Sequence, residues 1–160
     1  MRFLGLALLL VAFNASAASD VKVGLKLSPT GSFTAAGSKV NGTAKKNPDG
    51  SVSADKIEIP LDSLDTGIAM RTTHMKEKYL EISKYPNATV TDAKGKDGKG
   101  TATLELHGVK KPVSGTYKIE GNELVVSFPI NVSDYNVGKV SYMGVGLRNE
   151  ATIDARIPLK

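Results

Sequence analysis

Most of this chain alternates apolar with polar residues, and a period of two commits a segment to a β-strand with one dry face and one wet face. Val21, Val23, Leu25 and Leu27 share one parity, with Lys22, Lys26 and Ser28 on the other. Ile57, Ile59 and Leu61 alternate with Lys56, Glu58 and Asp62, and Ala102, Leu104 and Leu106 with Thr101, Thr103 and Glu105. The longest run is Leu124, Val126, Phe128, Ile130 and Val132; the last places Ile153, Ala155, Ile157 and Leu159 against Asp154, Arg156 and Lys160. One-sided strands of this kind belong to antiparallel sheets.

Weaker runs at 38–46, 87–93 and 112–119 bring the expected count to eight strands. Turn-forming stretches separate them, such as Asn47-Pro48-Asp49-Gly50, residues 95–100 and Glu120-Gly121-Asn122. Eight antiparallel strands with one apolar face close into a barrel or fold as a two-sheet sandwich, and we take the barrel as the expected architecture. Residues 133–149, glycine-rich and carrying Tyr135 and Tyr142, read as a long loop before the final strand. The inward set is mostly Val, Ile, Leu and Ala, with no Trp and four Phe in the whole chain. Small aliphatics on eight strands leave a cavity unless neighbouring segments fill it. Strands of about eight residues make a tilted barrel ~20 Å tall, long enough to hold an extended apolar chain.

The first 18 residues, MRFLGLALLLVAFNASAA, have the pattern of a secretory signal peptide: Arg2, an apolar run from Phe3 to Phe13, then small residues. That run is too short to span a bilayer. The expected organisation is therefore a signal peptide at 1–18 and one domain at 19–160, exported to the periplasm. The absence of cysteine excludes disulfides, thiolate nucleophiles and Cys-based metal sites. Removing Arg2 with the signal lowers the net charge of +5 by one, and the remaining lysines are scattered. No nucleic-acid partner is expected; an anionic small molecule or transient contact with a membrane surface suits this balance better.

One segment breaks the alternation. Residues 70–86 read MRTTHMKEKYLEISKYP, and a helix over 70–82 at about 100° per residue places Arg71, His74 and Lys78 on one arc beside Met75, Tyr79 and Ile82. A lid at a barrel mouth has such a face, and so does a surface helix with a solvated basic side. His74 and Glu77 share a face as an acid/base pair would, but neither His74 nor His107 has metal-ligand spacing. No G-x-S-x-G elbow supports a nucleophile. The segment LELHGVKKPVSG, 104–115, reads as a hairpin turning at Gly108, with Pro112 opening the second strand.

Two ordered motifs carry a family resemblance. Thr66, Arg71-Thr72-Thr73-His74-Met75, Tyr79-Leu80 and Tyr85-Pro86 resemble the "T…RD-x-HL…FF…YP" signature of the YceI-like polyisoprenoid-binding family. Leu104-x-Leu106-His107-Gly108-Val109-x-Lys111-Pro112-Val113 is similar to its "L-x-L-H-G-V-T-K-P-V" hairpin. Asp134-Tyr135-Asn136-Val137, Gly144-x-Gly146 and the last strand extend the likeness over nearly the whole mature chain. Thr72 stands where the family has Asp, Leu80 where it has Phe and Val90 where an aromatic follows "YP"; the early "D-x-x-H-S" signature is absent from 20–30.

The resemblance implies a periplasmic, lipocalin-like barrel holding a polyisoprenoid or other long-chain lipid, without catalysis and without a cofactor. On that reading Leu25, Leu27, Ile57, Ile59, Leu61, Leu104, Leu106, Val126, Phe128 and Ile130 line the pore with Met75 and Tyr79. Arg71 and His74 then meet the head group. Two alternatives stay open: a hydrolase-like enzyme using His74 with Glu77, and a structural or inhibitory β-domain with a filled core.

Overall fold

The computed structural model describes residues 20–160; the expected signal peptide lies outside the described residues. The chain forms β1 (Asp20–Ser28), β2 (Ser32–Gly37), β3 (Lys45–Lys46), β4 (Val52–Pro60), β5 (Asn87–Lys96), β6 (Lys99–Leu106), β7 (Val109–Glu120), β8 (Glu123–Asn131), β9 (Ser141–Tyr142) and β10 (Val145–Pro158). All named pairings are antiparallel, in the order β2-β1-β10-β8-β7-β6-β5-β4-β3, with β9 on β10. The class is all-β as expected, but nine strands lie on the path rather than eight. The strand expected at 38–46 is the cause. It is replaced by β2, which pairs with β1, and two-residue β3, which pairs with β4.

Between those two pieces the sheet's edges meet. Ala36 bridges Asp65, Asn41 bridges Glu58 and Ala44 bridges Leu159, so the sheet curls until isolated bridges join its edges. Gly42 makes the close approach feasible: its φ is 121°, and a Cβ there would sit 2.6 Å from the Lys56 carbonyl oxygen. The expected 133–149 loop also divides. It holds a 3-10 turn at Val132–Tyr135, β9, and the start of a 14-residue β10.

Inward parity changes along β4, which the alternation from Ile57 onward does not reveal. Val52 and Ala54 are buried, then Ile57 and Ile59, and exposed Asp55 and Lys56 lie between them. Opposite, the β5–β6 register shifts between Thr91 and Lys94, and Asp92 has φ 53°. A bulge adds one residue, bends the strand and reverses which face later side chains occupy. The lower end thereby packs Val52, Ala54 and Ile57 with Leu124, Ala155 and Ile157.

The expected helix over 70–82 is shorter and of two kinds. α1 (Ala69–His74) runs into a π-helical turn, Met75–Tyr79, closed by Leu80 N–H donating to the Met75 carbonyl at 2.9 Å. Ile82 lies beyond it, its N–H bonded to the Lys76 carbonyl across Glu81, whose φ is 47°. The wider turn shifts the helical wheel after Met75, so a single 100° step does not describe the segment.

Candidate functional site

Among the described residues, two apolar cavities lie one above the other inside the curl of the sheet. The upper one has a volume of about 650 Å³ and opens beside α1; the lower is about 100 Å³. Ile59, Phe128 and Ile153 border both, forming the floor of the upper cavity. Of the residues expected to line a pore, Leu25, Leu27, Ile59, Leu61, Leu104, Leu106, Phe128 and Ile130 border the upper cavity from the sheet and the turn after β4. Arg71, His74, Met75 and Tyr79 border it from the helical segment. Ile57 and Val126 do not: they lie below the floor, on the lower cavity. For Ile57 the reason is the bulge beneath Ile59; for Val126 it is the position of Phe128, one inward step nearer the mouth.

Alternation finds strands but misses walls supplied by irregular segments. Val137 and Val140 come from the region read as a loop, and Phe33 from the unrecognised β2. The Phe33 and Ala35 alternation in SFTAAG was the available signal. Many inward apolar side chains, Val23, Leu25, Leu106 and Phe128 among them, are only half-buried because they face this open space rather than another side chain.

Arg71 is held at the edge of the cavity by neutral groups. Its Nη2 donates to the Thr66 carbonyl at 2.7 Å, and its guanidinium lies 4.0 Å from the centroid of the Phe33 ring. Its Nε is buried without a hydrogen-bond partner among the described residues. Lys76 differs, because its Nζ donates to the Asp62 carbonyl at 2.6 Å and approaches the Asp62 carboxylate at 3.5 Å, tying the π turn to the 3-10 turn Leu61–Ser63. Arg71, His74 and Lys78 have no carboxylate within ion-pair distance among the described residues. The cavity thus joins an apolar interior to three basic side chains of one segment.

Thr72 turns away from this space. Its hydroxyl oxygen accepts the Thr66 N–H at 3.0 Å and lies 2.9 Å from the Thr66 hydroxyl, which also donates to the Ile68 carbonyl at 3.2 Å. Thr66 is the buried polar residue of the core among the described residues. The Thr at this position therefore anchors the start of α1 and does not line the cavity.

His107 secures the other end of the helical segment. Its Nε2 is 2.6 Å from a Glu81 carboxylate oxygen and its Nδ1 is 3.0 Å from the Tyr135 carbonyl oxygen. Both partners are acceptors when Glu81 is ionised, so each contact calls for a proton on the ring nitrogen. The hydrogen bond from His107 in turn holds the Glu81 carboxyl below the usual carboxylate range. Tyr85 packs edge-on against the imidazole at 4.8 Å between centroids, and a Cβ on Gly108 would stand 2.9 Å from its ring. His107 of the segment read from sequence as a hairpin, with Tyr85 of the YP pair packed against it, therefore fastens the base of the helical segment to the turn at Tyr135.

Among the described residues no three His, Cys, Asp or Glu side chains gather as a metal site would require. His74 makes no hydrogen bond to Glu77.

The family described as "YceI-like domain" matches residues 13–159. The fold is similar to that of BcnA from Burkholderia cenocepacia, with TM-score 0.67 and 23% identity over 87% of this chain and 94% of that one. It is also similar to a polyisoprenoid binding domain from Saccharophagus degradans implicated in plant cell wall breakdown, with TM-score 0.61 and 19% identity over 89% and 94% of the two chains. No curated protein matches. A match over most of the sequence, together with the curled sheet and the helical segment beside its mouth, makes this chain a member of the YceI-like domain family.

Proposed function

We propose that the protein is an exported, non-catalytic carrier that holds the tail of a polyisoprenoid or similar long-chain lipid in the upper cavity. The observation that carries this reading is the open apolar space of about 650 Å³ lined by half-buried aliphatic side chains. Its size falls in the usual range of ligand sites. At ~30 Å³ for a small group it accommodates on the order of 20 methylene-sized units, and a longer tail must leave its remainder outside. Ten buried methylenes contribute roughly 8 kcal/mol before ordering costs, enough to make the tail the main source of affinity. Arg71, His74 and Lys78 meet an anionic head group at the edge. The signal-peptide pattern of residues 1–18 supports export to the periplasm. The polyisoprenoid-binding name of a structural neighbour supports the ligand class.

Mass spectrometry of lipid extracted from protein purified from its native compartment tests the proposal. A long-chain lipid in stoichiometric amount is expected; protein that carries none and binds none when offered would sink it. Met75→Glu, on the cavity wall, should weaken binding far more than Lys96→Glu at the opposite turn, and equal effects would remove the helical segment from the site.

A further inference from the structure

Bulky apolar side chains cluster in the open on this molecule. The exposed large hydrophobics among the described residues are Ile68 (54%), Met70 (62%), Met143 (84%), Val145 (40%) and Ile119. All but Ile119 border the upper cavity: Ile68 and Met70 where α1 begins, Met143 and Val145 at the β9–β10 turn. They make an apolar rim on two sides of one opening.

Met143 is the most telling member. It forms the hairpin tip with Gly144, and their φ values of 47° and 79° follow the type I′ pattern, which favours Asn, Asp or Gly at its first position. A methionine there combines a conformation disfavoured for its side chain with nearly full exposure. Neither supports the fold, and an outlier of this kind points to use at a surface. The charge around the rim is lopsided. Arg71, Lys78, Lys139 and Arg148, on or beside the same segments, have no carboxylate within ion-pair distance among the described residues, against the acids Asp65, Glu77 and Glu150.

From this rim we infer that the cavity mouth docks on an anionic lipid bilayer, with Met143 and Met70 entering the interface and the surrounding cations facing lipid phosphates. Apolar insertion and basic attraction reinforce each other at such a surface. The inference deepens the carrier reading and rests on it in one respect: a water-insoluble tail exchanges most readily where the opening meets the lipid phase.

Flotation of the full mature chain with vesicles of phosphatidylglycerol and phosphatidylethanolamine, or of phosphatidylcholine alone, tests docking. Binding of a soluble fluorescent fatty acid without vesicles reports separately on the cavity. The protein should float with the anionic vesicles and detach as salt rises. Met143→Asp, which the turn accepts at least as well as methionine, should lower the bound fraction about tenfold. Lys139→Glu with Arg148→Glu should lower it for the anionic vesicles. Flotation without fatty-acid binding would support docking and refute the carrier reading. Fatty-acid binding without flotation would overturn docking alone. A concentration-dependent dimer that Met143→Asp dissociates, with no flotation, would assign the rim to a second copy and overturn the inference.

Discussion

Adding carbon to the wall of the upper cavity should shorten the lipid tail that it accepts. Ala151 on β10 is buried, borders the cavity and pairs with Ile130, one inward step above Ile153 on the floor. Ala151→Leu adds three carbons to this wall, displacing at most ~90 Å³ at ~30 Å³ each. At ~0.8 kcal/mol per methylene, a tail that reaches the floor loses about 2.4 kcal/mol, or roughly 50-fold in affinity. A tail of about ten carbons has room to stay above the floor and loses little. Alkyl phosphates of graded length, competing with a fluorescent fatty acid, measure the difference. The loss should grow with chain length and level off once the tail outgrows the cavity. Equal losses at every length, or none for the longest, would refute the idea that tails occupy this depth. Because Ala151 is only 2% exposed, the new carbons press against its neighbours before they reach the cavity, so the melting temperature should fall by a few degrees.

Phe128→Ala should act in the opposite sense. Removing a ring from the floor connects the two cavities, so long tails should gain relative to short ones in the same competition, while urea unfolding shows a loss of about 3 kcal/mol. Gly42→Ala should destabilise the fold by roughly 2 kcal/mol or more in urea unfolding, because its φ of 121° and the nearby Lys56 carbonyl leave no place for a Cβ. Glu81 supplies a pH dependence: its folded carboxyl titrates below the usual value of 4.5, so its stabilising effect is complete above that pH and is lost as pH falls through the lowered value. The stability advantage of the native chain over Glu81→Gln should shrink toward zero in that acid window, and a constant difference down to low pH would exclude the His107 contact as its source.

The fold class was legible because alternation is local. Each run beginning at Val21, Ile57, Ala102, Leu124 or Ile153 declares its dry face within a few residues, and X-Gly pairs such as His107-Gly108 mark the turns. Twelve of the fourteen residues expected at a pore border the upper cavity, since an inward face in a curled sheet faces the lumen by construction. Ile57 and Val126 fall outside because alternation says inward or outward and nothing about height. That coordinate depends on the bulge at Asp92 and on where Phe128 crosses the lumen. The π turn after His74 was likewise hidden: the contact that ties it down, from Lys76 to Asp62, comes from another turn.

The sequence by itself determined that this chain builds antiparallel strands with one small-aliphatic face, and that one basic, apolar-striped segment interrupts them. Both follow from side-chain periodicity, which acts between near neighbours. Only the tertiary structure decided that the lumen divides at Ile59, Phe128 and Ile153, that Thr72 anchors α1 while Arg71 meets no carboxylate among the described residues, and that His107 fastens Glu81 from 26 residues away. Those outcomes depend on how far the sheet curls and which distant side chains meet across it, and closure of the curl is a property of the whole chain.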